Sequence, residues 1–174
     1  MKTIHKAWAL IILATLVGCA GRGEQLETVS FVDLERFMGD WYVIAHIPTF
    51  IEDEAHNAIE SYELNGDRIE TTFTFRNKRF DGPEKRYEPN AIVRDSNTNA
   101  VWGMQFIWPF RSDFRIVYLD EGYDTTIIGR NARDYVWIMA REPQISEEKY
   151  DELVQAVSKM GYELTDLRRV PQRW

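Results

Sequence analysis

Few side chains of this 174-residue chain are of a type that does covalent or proton-transfer chemistry. Past the first eighteen residues the histidines are His46 and His56, and His56 follows the acidic run Glu52-Asp53-Glu54. A metal or acid–base centre would need such groups at ligand spacing, and none of the strong spacings occurs. Ser61, Ser96, Ser112 and Ser158 stand in no Gly-x-Ser-x-Gly context that would raise a nucleophile on a strand-to-helix turn. The one cysteine, Cys19, leaves no intramolecular disulfide. These residue types point to no catalytic group, no metal and no cofactor. Binding and purely structural roles are favoured over catalysis.

What the chain does offer is one candidate modification. Lys2 and Lys6 precede an apolar run, Trp8 to Val17, too short to span a bilayer comfortably. It reads as the apolar core of a signal peptide. The run ends in Leu16-Val17-Gly18-Cys19, which resembles the bacterial lipobox. That resemblance implies cleavage before Cys19 and acylation of its sulfur and its new amine. Each buried methylene adds about 0.8 kcal/mol, so two or more acyl chains attach a protein stably to a membrane. Ala20 is not the aspartate that resembles an inner-membrane retention signal, so the expected address is the outer membrane, on its periplasmic face. The expected division is a signal peptide over 1–18, a lipidated tether over 19–29 and a single domain over 30–174. Losing residues 1–18 removes two lysines and no acid, taking the formal charge from −7 to −9. Such a field excludes a nucleic-acid partner.

The elements that would position a binding site read as strands. Met38-Gly39-Asp40 is a turn signal running into the aromatic and β-branched segment Trp41 to Ile47. Further strands are predicted over 57–64, 68–77, 86–94, 100–108, 113–119, 124–130 and 135–141, with Asn65-Gly66-Asp67 a strong hairpin turn. Thr49 to Ala55 is predicted as a longer loop, and Pro109 to Ser112 as a break. Ser146 is a candidate N-cap for a helix with Tyr150, Leu153, Val154 and Val157 on one face and Gly161 past its end. Residues 162–170 could add a last short strand. Eight strands in meander order suit a closed barrel with room for one small ligand, although alternation alone also permits a sandwich. Alternation predicts that Phe73, Phe75, Tyr87, Trp102, Met104, Phe106, Tyr118, Tyr135 and Trp137 face inward and bind an apolar ligand. A bulge would invert such an assignment, and each aromatic could equally be plain core. His46, Arg76, Lys78, Arg79 and Arg111 are candidates to meet a charged head group at the mouth.

Gly39-Asp40-Trp41-Tyr42 closely resembles the first signature of the lipocalins, with Val32 to Phe37 like their short entry helix. Val117-Tyr118-Leu119-Asp120, Tyr123 and Gly129-Arg130-Asn131 resemble the second signature region, more loosely, and Tyr135 to Pro143 the third. The whole mature chain resembles the bacterial outer-membrane lipoprotein lipocalins. The resemblance implies an all-β fold: an eight-stranded antiparallel up-and-down barrel with a short N-terminal 3-10 helix and a C-terminal α-helix. It implies that Arg141 stacks on Trp41 beside Gly39 to close the barrel floor. It further implies binding, storage or transport of a fatty acid or lysophospholipid by a monomer or homodimer. The competing readings are a structural envelope lipoprotein with a filled barrel and, behind it, a lipocalin-fold enzyme.

Overall fold

The computed structural model describes residues 25–174. Cys19, the signal peptide and the start of the tether lie outside the described residues. The first element is a single α-turn, α1 (Leu34–Phe37), where a 3-10 turn is expected. Asp33 caps it, its carboxyl accepting from Arg36 N at 3.3 Å.

Ten strands follow: β1 (Gly39–Ile47), β2 (Ala55–Asn65), β3 (Arg68–Asn77), β4 (Glu84–Tyr87), β5 (Asn90–Val93), β6 (Val101–Ile107), β7 (Phe110–Leu119), β8 (Thr125–Gly129), β9 (Val136–Ala140) and β10 (Arg168–Arg169). They meander antiparallel, and β1 pairs with β9 from Tyr42 opposite Ala140 to Ile47 opposite Val136. That pairing closes an eight-position barrel and excludes the sandwich. β4 and β5 share one position, both pairing β3. The predicted fourth strand is split because Pro89 has no N–H to give the ladder, although its carbonyl accepts from Thr71 N at 3.0 Å. Only Trp108 and Pro109 separate β6 from β7, so the predicted break over 109–112 is mostly strand.

One end of the barrel carries loops 48–54 and 78–83 and turns 108–109 and 130–135. The other carries α1, the 66–67 turn, and loops 94–100 and 120–124. We call these the mouth and the floor.

Side chains divide between two clusters, one inside the barrel and one between the barrel wall and helix α2 (Glu147–Lys159). Ser146 caps α2, accepting from Lys149 N, and Leu153 and Val157 bury against the wall. Gly161 ends the helix at φ +85°, the left-handed conformation that glycine adopts without Cβ strain.

Four register shifts decide which side chains reach the interior, and in β2 the one between His56 and Ile59 brings both Ala55 and Ala58 inside. In β1 the register shifts between Val43 and Ala45. Trp41 and Val43 lie inside, Ile44 and Ala45 outside. His46 is opposite Trp137, an interior residue, so the shift returns the histidine to the inner face. In β7 a shift between Ile116 and Tyr118 turns Tyr118 to the outer cluster, where its hydroxyl bonds Glu152 at 3.3 Å. In β6 a shift lies between Met104 and Ile107, and Phe106, within that interval, is exposed at the mouth. Strict alternation therefore fails for Tyr118 and Phe106. Tyr135 is also misplaced: it lies in the turn before β9, half-buried under the Arg130 guanidinium at 5.2 Å, and belongs to neither cluster.

Candidate functional site

The floor is built first. Gly39 opens β1 at φ +94°, and a Cβ there would sit 3.3 Å from Arg141 Nη1. That close approach lets the Arg141 guanidinium lie 3.8 Å from the centre of the Trp41 ring. The same guanidinium donates to five carbonyls: Asp40 (2.8 Å), Arg36 (2.9 Å), Phe37 (3.0 Å), Met38 (2.9 Å) and Tyr123 (3.3 Å). Burial pushes its pKa down, and the nearby Asp40 and Asp124 carboxyls oppose that shift. Trp41 Nε1 donates to Phe37 O at 2.9 Å.

Above Arg141 the lower half of the barrel is packed with its own rings. Phe37, Trp41, Tyr62, Trp102 and Phe114 touch at centroid distances of 5.0 to 6.1 Å. Trp102 faces inward as predicted, but it is stacked on Phe114 at 5.0 Å and held by Asn99 O at 2.7 Å. It belongs to this packed layer.

The upper half is walled by Phe73, Phe75, Tyr87, Met104, Met139 and Trp137, all within the interior cluster. Phe73 and Phe75 lie 5.3 Å apart, and Tyr87 stacks on Phe75 at 6.3 Å. Of the nine predicted lining residues, Phe73, Phe75, Tyr87, Trp102, Met104 and Trp137 thus share the interior. Phe106, Tyr118 and Tyr135 do not.

Two acids that sequence reasoning did not place in the interior are buried at this level. Glu60, on β2, lies opposite Trp41 on one side and Phe73 on the other, in line with Tyr62 below it. Burial, and then the Glu52 carboxyl, push its pKa up to about 8, while the Tyr62 hydroxyl opposes the shift. That hydroxyl is buried, and no hydrogen bond of good geometry reaches it. Its own pKa is raised, first by burial and then by Glu60. Glu52 arrives from loop 48–54. Its Oε1 accepts from Trp137 Nε1 (3.1 Å), Thr49 N (3.2 Å) and Thr49 Oγ1 (3.1 Å). Its Oε2 lies 3.7 Å from His46 Nδ1, which has no hydrogen-bond partner. The inward placement of Glu60 was legible in principle, since Ala58, Glu60 and Tyr62 share one face. Nothing local in the sequence marks Glu52 as turning inward.

Of the head-group candidates, only His46 is inside. Arg76 pairs Glu84, Lys78 pairs Glu54 and Arg79 pairs Asp81, all on the outer surface. Arg111 donates to Gly103 O at 3.2 Å. His56 packs on Phe80, its ring 5.0 Å away, and does not join Glu52. Among the described residues no group of His, Cys, Asp or Glu is arranged to hold a metal ion. Two surface concavities lie outside the barrel: one of roughly 530 Å3 between the N-terminal segment and the end of α2, the other of roughly 410 Å3 beside Tyr135 and Arg168. Chemically the interior offers apolar walls suited to an alkyl chain, with carboxyl and imidazole groups at the level of loop 48–54.

Residues 32–172 match the family model described as a lipocalin-like domain. The chain is 29% identical over 160 residues to temperature-induced lipocalin-1 of Arabidopsis thaliana, covering 86% of this chain and 84% of that one. It is 26% identical over 167 residues to the outer membrane lipoprotein Blc of Escherichia coli K12, covering 94% and 92%. Among solved structures, insecticyanin from the tobacco hornworm Manduca sexta shares the fold, with a TM-score of 0.66, 16% identity and 83% of each chain covered.

Proposed function

The chain belongs to the lipocalin-like family, and from that we propose that it binds a single-chain lipid, a fatty acid or lysophospholipid, in the upper half of the barrel. The observation that carries this is the make-up of the interior: a ring-packed floor below, and above it an apolar cluster of Phe73, Phe75, Tyr87, Met104 and Trp137, with Trp137 bonded to Glu52 of loop 48–54. Alkyl chains leave water for such walls at about 25 cal/mol per Å2 without any covalent step. Entry requires loop 48–54 to lift Glu52 out of the mouth. The role is binding, storage or transport, not catalysis.

In this reading Cys19 carries the acyl anchor and the protein sits on the outer membrane, facing the periplasm. Support comes from the lipobox-like Leu16-Val17-Gly18-Cys19 and from relatives named outer membrane lipoproteins. Displacement of a fluorescent fatty acid from the purified protein tests the ligand claim. Saturable 1:1 binding supports it. Absence of binding, with no lipid co-purifying by mass spectrometry, favours the filled-barrel reading that the packed lower half already suggests. Turnover of the lipid would indicate an enzyme. The mass of the mature N-terminal peptide tests the anchor claim: acyl chains on Cys19 support it, and an unmodified Cys19 would defeat it.

A further inference from the structure

Of the nine large apolar side chains exposed among the described residues, Phe31, Leu64 and Trp174 lie away from the mouth, Phe80 is in loop 78–83, and the other five form two groups. Phe50 is 92% exposed, Trp108 82%, Phe110 75%, Ile107 71% and Phe106 46%. All five stand at the mouth. Phe50 is at the tip of loop 48–54, between β1 and β2, and the others form the β6–β7 hairpin. In the circuit β1, β2, β3, β4/β5, β6, β7, β8, β9 these two connections lie four positions apart out of eight, on opposite sides of the opening. The mouth is therefore flanked by two apolar prongs. Burying such side chains is worth about 1.5–3 kcal/mol each, and soluble surfaces rarely group them.

The described chain enters the domain beside the same mouth. Leu26 N donates to Asn131 Oδ1 at 2.8 Å, and Asn131 lies in the mouth turn between β8 and β9. Cys19 is seven residues earlier, a covalent reach of at most about 25 Å. An acyl group there is leashed to the mouth side of the barrel. Near the mouth Lys78 pairs with Glu54, Arg79 with Asp81 and Arg76 with Glu84, while Arg111, beside Phe110, donates to Gly103 O. The rim thus lacks the basic field that would seek an anionic partner. Two prongs separated by an opening make no groove for a peptide or a partner helix, whereas a fluid lipid surface accepts them without matching their shape.

We infer that the mouth docks face-down on a lipid bilayer, with Phe50 on one side and Ile107, Trp108 and Phe110 on the other entering the interfacial layer. The inference takes the Cys19 anchor from the proposed function to set which side the leash lies on, while the prongs themselves do not depend on it. Docked in this way, the barrel would exchange an acyl chain with the bilayer without carrying it through water.

The test uses the acylated full chain, purified from membranes, on vesicles of phosphatidylethanolamine and phosphatidylglycerol. A nitroxide is attached at Ile107→Cys and, separately, at Glu63→Cys near the floor turn. The label at 107 is expected to be relaxed by dissolved oxygen and shielded from an aqueous nickel chelate; the label at 63 should behave in the opposite way. Equal water accessibility at the two sites overturns the inference. The mass of the N-terminal peptide reads the anchor independently. If no acyl chain is found, the same two labels on the unacylated protein at saturating vesicle concentration decide the docking alone. Phosphatidylcholine vesicles should serve as well as anionic ones, and a strict need for anionic lipid would also contradict apolar seating. Finally, the exposed triple variant Ile107→Ser, Trp108→Ser, Phe110→Ser should take up a fluorescent fatty acid from vesicles at least tenfold more slowly. Its affinity for the same probe offered in solution should not change, and equal uptake rates would overturn the inference.

Discussion

The Glu52 carboxyl accepts a hydrogen bond from the indole of Trp137 at 3.1 Å, tying loop 48–54 to the inner wall of the barrel. One oxygen gathers this bond and two from Thr49, while Asp53 with Arg168 and Glu54 with Lys78 tie the outer side of the same loop. Glu52→Ala removes all three Glu52 bonds. At about 1 kcal/mol for each net hydrogen bond, the loop should open more often, and stopped-flow binding of a fluorescent fatty acid should be several-fold faster. Unchanged association rates would show that the loop is not the barrier to entry.

Glu60 gives the fold a pH dependence of unusual sign. Its folded pKa, about 8, lies above the ordinary carboxyl value of 4.5. The folded state therefore holds a proton that the unfolded chain releases between those limits. Stability conferred by the neutral carboxyl is fully present below about pH 4.5 and is lost as pH rises toward 8. Across that window the loss is on the order of 5 kcal/mol at 1.36 kcal/mol per pH unit. Denaturant unfolding of Glu60→Gln should show this slope flattened, with the variant more stable than the parent at pH 8. Glu52→Gln should move the Glu60 transition to lower pH, because the charge that helps raise it is gone. A parent stability that rises from pH 5 to 8 would contradict the buried placement of Glu60.

At the floor, Arg141 both stacks on Trp41 and serves five carbonyls. Arg141→Lys keeps the charge but loses the planar fork that reaches those acceptors. Buried carbonyls left without donors cost about 1–3 kcal/mol each where water cannot reach them. The variant should unfold at lower denaturant by about 3 kcal/mol, measured by tryptophan fluorescence. A difference below 1 kcal/mol would mean that the carbonyls are solvated and the closure is weaker than its geometry indicates.

These outcomes separate what local sequence encodes from what it does not. The strand pattern and the Ser146 cap of α2 rest on short-range patterns, the floor contact of Arg141 with Trp41 on the resemblance to the lipocalins, and all three appear in the structure. Tyr118 and Phe106 were misassigned because a β-bulge adds one residue to a strand and reverses every face after it. No residue type in Ile116-Val117-Tyr118 announces that insertion. Glu52 was unreadable for another reason. Its destination depends on Trp137, 85 residues away in the chain, and a loop acid looks the same whether it turns to water or inward.

The corrected faces change which substitutions should abolish ligand binding. Phe75 lies inside the upper half, between Phe73 and Tyr87, and is buried. Phe106, two residues beyond Met104, lies within the β6 register shift and is exposed. Phe75→Ala removes wall that an alkyl chain would touch. At about 25 cal/mol per Å2, losing some 50–60 Å2 of contact costs about 1.4 kcal/mol, a tenfold weaker Kd. Phe106→Asp puts a charge where only water and the rim meet it, so the Kd for a fatty acid in solution should stay within twofold of the parent. Isothermal titration of the two variants against one fatty acid decides the matter. Strong loss in Phe106→Asp with little loss in Phe75→Ala would place the ligand at the rim and outside the barrel.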